Sequence, residues 1–259
     1  MLGPWVLQCA PMGTASRWPT PLVLLRALLA VAWTVKCITL ALVVRAVGRR
    51  RLALRMMRRL WVGPLARILG QKVEVEGREH LVEGPAMVVS NHQSMLDVVA
   101  LVAALPRDLS FVVKSELARI PFLGWYMKAV GMTVLDRRRR LEGIAAIRGS
   151  ASEAGAGRYL VVFPEGTRSR DGRVGPFKPS AFVAALEAQL PILPVALDGP
   201  GRNLPTGTLG LRSGVLRVRV GPAIATVGST TADRRQVAGQ AQAEVVRLVE
   251  GLRADFASG

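Results

Sequence analysis

The sequence predicts an α/β fold, a single mixed sheet flanked by helices and preceded by an N-terminal membrane-associated helical segment. Three observations carry that expectation. Short β-branched runs alternate with helical stretches after Gly70, the texture of one sheet covered by helices. An apolar run from Pro21 to Val44 is long enough to cross a bilayer. Basic residues crowd the same region, with twelve Lys and Arg and no acidic residue before Glu74. A chain of 259 residues holds one sizeable domain plus an appendage, so one active site is expected. The expected organisation is a tail over 1–20, membrane-associated apolar and basic amphipathic helices over 21–70, and the α/β domain over 71–259.

Arg26 and Lys36 interrupt the apolar run and must snorkel or face protein, so the segment either spans the bilayer or dips in and returns. Ala30-Val31-Ala32 resembles a signal-peptide cleavage site, but the leader is weakly basic and apolar residues continue past it. The block Arg49, Arg50, Arg51, Arg55, Arg58 and Arg59 follows directly. By the positive-inside rule it places the rest of the chain on the cytoplasmic face of the cytoplasmic membrane. From Arg49 to Leu69 these arginines alternate with Leu52, Leu54, Met56, Met57, Leu60, Trp61, Val62, Leu65 and Ile68, a basic amphipathic helix suited to lipid headgroups.

Beyond Gly70 the expected strands are Val73 to Val75, Ala86 to Ser90, Ser110 to Val113, Met132 to Leu135, Tyr159 to Phe163, Ile192 to Leu197 and Val215 to Val220. The expected helices are Met95 to Ala104, Phe122 to Val130, Arg138 to Glu153, Ser180 to Ala188 and Thr231 to Phe256. Loops rich in Gly and Pro at 164–176 and 199–214 are the natural places for a binding site.

With 35 Lys and Arg against 18 Asp and Glu, an anionic partner is expected. Because the excess sits beside an apolar run, an anionic membrane surface fits better than nucleic acid, and aromatic residues for base stacking are scarce. The only cysteines, Cys9 and Cys37, lie far from the motifs below, which argues against a disulfide framework, a thiolate metal cluster and an acyl-cysteine intermediate.

Two histidines are available as a general base near neutral pH. His80 lies in a polar stretch that reads as a surface turn. His92 follows the apolar strand directly, in the run NHQSMLD, with Asp97 five residues on. Within one ideal helix that offset would set the two about 140° apart. If Ser94 instead caps a helix whose first turn carries Asp97, His92 stays in the loop and can fold back, donating one ring nitrogen to the carboxylate. Spacing alone leaves open the plainer alternative, a helix cap with His92 as a turn residue. A second cluster follows the buried strand Tyr159 to Phe163: PEGTRS, with Glu165, Gly166, Thr167 and Arg168, supplies a guanidinium fork, a hydroxyl and a glycine, a loop able to hold a phosphate. A third strand ends in Asp136-Arg137.

These blocks, NHQSMLD, GMTVLDR from Gly131 to Arg137, FPEGTRS from Phe163 to Ser169, and LPILPV from Leu190 to Val195, resemble in order and spacing the glycerolipid acyltransferase (PlsC-like) family, which includes 1-acylglycerol-3-phosphate acyltransferases. The resemblance covers about Val73 to Gly221. It implies that His92 is the general base and Asp97 its orienting partner. Glu165, Gly166, Thr167 and Arg168 would contribute to acceptor phosphate binding, joined by Arg137 and Lys114, with Pro194 on the acyl side. It implies a lysophospholipid acceptor, an acyl-CoA or acyl-ACP donor with acyl carrier protein as a possible partner, and neither cofactor nor metal. Lyso-ornithine lipid and other lysophospholipids are alternative acceptors. Leu135 and Thr133-Val134 depart from the second block without altering charge or reach. A hydrolase would need a G-x-S-x-G elbow, which the chain lacks. A basic membrane-binding module would need only the charged surface.

Overall fold

The computed structural model describes residues 20–49, 52–53, 56–114, 124–125, 133–135 and 159–257. The expected helices around 122–130 and 138–153 therefore lie outside the described residues, apart from the helical pair Gly124 and Trp125.

Helix α1, Pro21–Ala46, opens with Thr20 as N-cap, its hydroxyl accepting from the Val23 amide, and Pro21 at the first helical position, where its missing N–H costs nothing. One stripe, Ala30, Cys37, Ile38 and Ala41, is buried, whereas Leu22, Leu24, Leu25, Leu28, Leu29 and Val31 are exposed. Of the two cations that interrupt its apolar run, Arg26 reaches another part of the chain and Lys36 stays exposed over a ring of its own helix. Arg26 donates to the Ser213 hydroxyl at 2.8 Å, and the Lys36 ammonium lies 5.2 Å from the Trp33 ring centre. A π turn, Met57–Trp61, leads into α2, Val62–Ile68. Trp33 and Trp61 knit this hairpin together, Trp33 donating to the Trp61 carbonyl and Trp61 to the Thr34 hydroxyl.

Seven described strands form one sheet: β1 Gln71–Glu76, β2 Ala86–Ser90, β3 Leu109–Lys114, β4 Thr133–Leu135, β5 Tyr159–Val162, β6 Ile192–Asp198 and β7 Gly214–Val220. Their order is β1-β7-β6-β2-β5-β3-β4, and all neighbours are parallel except β6 and β7. Strands β2 to β6 thus share one C-terminal edge, the usual place for a site in an open α/β sheet.

Central strands are buried on both faces, so they read as continuous apolar runs. Alternate residues serve opposite cores. Ala86, Val88, Val161, Leu193 and Val195 face α1, α2 and α3 (Leu96–Ala104); Met87, Val89, Leu160, Ile192 and Ala196 face α4 (Val183–Glu187) and the long C-terminal α6, Arg234–Ala257. Helix α6 covers that face with Val237, Ala241, Val245, Leu248 and Leu252 at helical spacing. The short helix α5, Pro200–Asn203, starts directly after β6. It escaped the periodicity reading because four residues carry no period.

Candidate active site

The chain leaves β2 at Ser90, and the next residue continues the sheet by its side chain. The Asn91 amide group exchanges two 2.8 Å hydrogen bonds with the backbone of Leu197, mimicking a strand residue. This fixes the chain at the point where His92 emerges. Helix α3 begins only at Leu96, so His92 and Asp97 do not share a helix. The ring Nδ1 lies 2.6 Å from Asp97 Oδ2. The Gln93 and Ser94 amides donate to that same oxygen at 2.7 and 2.9 Å. A carboxylate oxygen can only accept, so the contact places a proton on His92 Nδ1, and the neutral tautomer it selects presents its lone pair at Nε2. Asp97 is fully buried, while the His92 side chain keeps 20% of its surface exposed. Ser94, expected as the cap, lies one residue before the observed cap position, Met95; its hydroxyl accepts from the Leu96 amide and donates to the Leu204 carbonyl.

The turn after β5 grips His92 from the other side. Its amide donates to Glu165 Oε1 at 2.8 Å, and its carbonyl accepts from the Ser169 amide at 2.7 Å. Phe163 stacks on the imidazole, with ring centroids 4.0 Å apart and planes 14° from parallel. The imidazole is therefore held by its ring nitrogen, both backbone groups and one face.

Of the residues expected to bind substrate, Gly166, Thr167 and Arg168 lie on this turn, the last two exposed. Gly166 needs its φ of +73° to let the chain reverse. Glu165 departs from expectation: it is buried, and its second oxygen accepts from the Gly175 amide at 3.0 Å. Both oxygens are committed to backbone, and an anionic group would repel phosphate, so Glu165 shapes the turn. Burial pushes its carboxyl above the ordinary range, although the His92 and Gly175 amides oppose this.

Lys114 ends β3 on the same edge, paired in register with Leu135 of β4. Arg137 lies outside the described residues. Pro194, expected on the acyl side, is not brought to this cluster. It is buried within β6 opposite Val89, three residues below the level of Leu197, with its carbonyl accepting from Gly221. His80 sits in a 3-10 turn, Arg78–His80, near Glu79, as its polar setting implies.

A further support was not foreseen. Asp198, at the end of β6, is buried and paired with Arg202 and Arg253, and Arg253 also donates to the Gly172 carbonyl at 2.6 Å. Helix α6 thus braces the loop that carries the PEGTRS turn. Burial pushes the Asp198 carboxyl up, but the two arginines outweigh it and hold it below its ordinary value of 3.8.

Fold and site together define an α/β enzyme in which a carboxylate-held imidazole stands beside a glycine-containing cationic turn. A family model described as Acyltransferase matches residues 72–198. The human 1-acyl-sn-glycerol-3-phosphate acyltransferase alpha is 31% identical over 229 residues, covering 88% of this chain and 81% of the human one. A chloroplastic 1-acyl-sn-glycerol-3-phosphate acyltransferase of Brassica napus is 37% identical over 150 residues, 57% of this chain and 43% of the plant one. The chain thus spans under half the length of that plastid relative. The crystal structure of the 1-acyl-sn-glycerophosphate (LPA) acyltransferase PlsC from Thermotoga maritima superposes with a TM-score of 0.74 at 26% identity, covering 90% of this chain and 95% of that one. The chain belongs to the acyltransferase family.

Proposed function

We propose that this protein transfers a fatty acyl group from an acyl thioester, acyl-CoA or acyl-ACP, to the sn-2 hydroxyl of 1-acylglycerol 3-phosphate, giving phosphatidic acid. The observation that carries the reading is the His92 ring, held by Asp97 at Nδ1 and stacked on Phe163, with its backbone tied to the PEGTRS turn. The names of the human, plant and bacterial relatives support the acceptor.

Nε2 takes the proton of the acceptor hydroxyl as its oxygen attacks the thioester carbonyl carbon. The imidazolium that forms is stabilised by Asp97. Collapse of the tetrahedral adduct breaks the C–S bond, and the thiolate leaves with the proton returned from His92. Thr167 and Arg168 lie on the turn where a phosphomonoester would be held, with Lys114 and Arg137 as further cations. Glu165 and Gly166 give that turn its shape.

Membrane attachment through α1 and the basic hairpin belongs to the same proposal. Helix α1 has 26 residues, an 18-residue stretch of mean hydropathy 2.2 and a row of exposed leucines, long and apolar enough to cross a membrane. Exposed Arg49 and Arg59 follow it, which by the positive-inside rule supports a catalytic domain on the cytoplasmic face.

The test is a panel of lysolipids offered with labelled acyl-CoA to the detergent-solubilised enzyme and to His92→Ala. Turnover of lysophosphatidate, lost in the variant, is expected. Turnover of lyso-ornithine lipid with none of lysophosphatidate would overturn the acceptor and leave the chemistry standing.

A further inference from the structure

The PEGTRS turn is accompanied by a cation that the motif does not contain. A Cβ built on Gly166 would lie 2.6 Å from Lys178 Nζ, with the lysine's Cε and Cδ at 3.5 and 3.7 Å. The ammonium therefore rests in the hollow above the glycine backbone, and a side chain at 166 would require it to shift. Two constraints meet at one residue: the chain must reverse there with positive φ, and a neighbouring cation must come close.

The backbone beneath Lys178 is rigidly joined to the turn it reaches over. Its amide donates to the Pro164 carbonyl at 3.1 Å, the preceding Phe177 is buried in the core, and a 3-10 turn, Pro179–Ala181, follows at once. The cation is thus presented by a fixed strap, with only its four-carbon stem free to adjust. Lys178 is exposed, and among the described residues it forms no ion pair, in contrast to Arg202, Arg219, Arg247 and Arg253, which all bind carboxylates. An ammonium laid on a glycine turn without a carboxylate partner among the described residues is chemically suited to an anion arriving from solution.

We infer that Lys178 recognises the phosphomonoester of the acceptor lipid, completing with Thr167 and Arg168 a cationic cradle on the Gly166 turn. The inference rests on the acceptor proposed above. Its role is selection: the ammonium contacts the phosphate and not the hydroxyl or the thioester, so it acts on acceptor affinity and not on proton transfer. A charge-assisted contact of this kind corresponds to about tenfold or more in affinity.

The experiment measures acceptor KM and kcat for Lys178→Met and Lys178→Arg with acyl-CoA and lysophosphatidate in detergent, and the inhibition constant of sn-glycerol 3-phosphate against lysophosphatidate. Lys178→Met is expected to raise both KM and the inhibition constant about tenfold or more, with kcat within about threefold, and Lys178→Arg to recover most of the loss. Unchanged KM and inhibition constant in Lys178→Met, or a fall in kcat alone, would overturn the inference. An unfolded Lys178→Met, seen as a lowered thermal midpoint, would assign the lysine to structure and likewise overturn it. Wild-type protein inert toward lysophosphatidate but active on a phosphate-free acceptor would instead overturn the acceptor reading, and the phosphate role of Lys178 with it.

Discussion

Glu165 reaches back from the turn after β5 to accept the His92 amide proton at 2.8 Å, while four residues later the Ser169 amide donates to the His92 carbonyl. The two conserving contacts of a β-bridge are thus made by one side chain and one backbone group, and they set the depth at which the imidazole leaves the sheet. Glu165→Gln keeps the shape but turns an NH2 toward a backbone N–H at one of its two partners. The orphaned donor costs about 1–3 kcal/mol. Expected is a kcat lowered about tenfold or more with acceptor KM within about threefold, because the imidazole is displaced and the acceptor is not touched. A raised KM with intact kcat would instead return Glu165 to the substrate.

Asp97→Asn tests the other side of the ring. The carboxamide oxygen can accept from the Gln93 and Ser94 amides, but no negative charge remains to stabilise the imidazolium, and the ring is free to take the wrong tautomer. A loss of roughly 10²- to 10⁴-fold in kcat is expected, in line with general base catalysis. Full activity in this variant would show that the 2.6 Å contact serves only the helix start.

Phe163 lies flat against the imidazole at 4.0 Å, so it limits rotation of the ring about its own bond to the backbone. Replacement by Tyr or Trp preserves a face to stack on; replacement by Leu preserves bulk but not the plane. We expect Phe163→Tyr to retain kcat within a few-fold and Phe163→Leu to lose about tenfold, stacking being worth about 0.5–1.5 kcal/mol. Equal kinetics for the Tyr and Leu variants would reduce the contact to simple packing.

Much of this arrangement was legible in the residues. The central strands read as short apolar runs because they are buried on both faces, whereas the spacing of His92 and Asp97 left their contact open until the helix start at Leu96 was seen. What stayed hidden passes through backbone groups, which every residue type supplies alike. Nothing in PEGTRS says that its carboxylate answers the amide of residue 92 and its Ser169 amide the carbonyl. Glu165 beside Arg168 reads as a ligand loop until burial shows both oxygens committed. Arg253 is 55 residues from Asp198, and no local pattern links a C-terminal helix to the end of β6. Pro194 carried only the resemblance of its block, and its register within β6 sets it below the site.

Asp198 and Glu165, both buried, are shifted in opposite senses. Asp198 is held below 3.8, so its contribution to stability is present above that value and is lost as pH falls through its lower folded value. Glu165 is pushed above 4.5, so its contribution is complete below 4.5 and is lost as pH rises through its higher folded value. Urea midpoints measured across this range should show an acid limb that flattens in Asp198→Asn, and a decline above pH 4.5 that disappears in Glu165→Gln. Acid limbs of equal slope in wild type and Asp198→Asn would show that the arginine clamp is not formed in solution. Arg253→Met should separately lower stability by about 1–3 kcal/mol through loss of the Gly172 contact.

The exposed side of α1 is where the proposed membrane attachment can be tested. Leu25 and Leu28 are about half and two-thirds exposed, at 52% and 68%, on a helix whose opposite stripe is buried against the hairpin. Leucines left in water gain about 1.5–3 kcal/mol each when buried in hydrocarbon, about tenfold in partitioning apiece. Arg26 faces Ser213 and Ala30 packs into the main core, so substitutions at 25 and 28 leave the catalytic domain's contacts untouched. Leu25→Ser with Leu28→Ser should therefore bind anionic phospholipid vesicles about a hundredfold more weakly while kcat in detergent is retained. Undiminished vesicle binding would locate the membrane attachment elsewhere on the chain. A loss of kcat in detergent matching the loss of binding would mean that α1 supports the fold of the site and not merely its address.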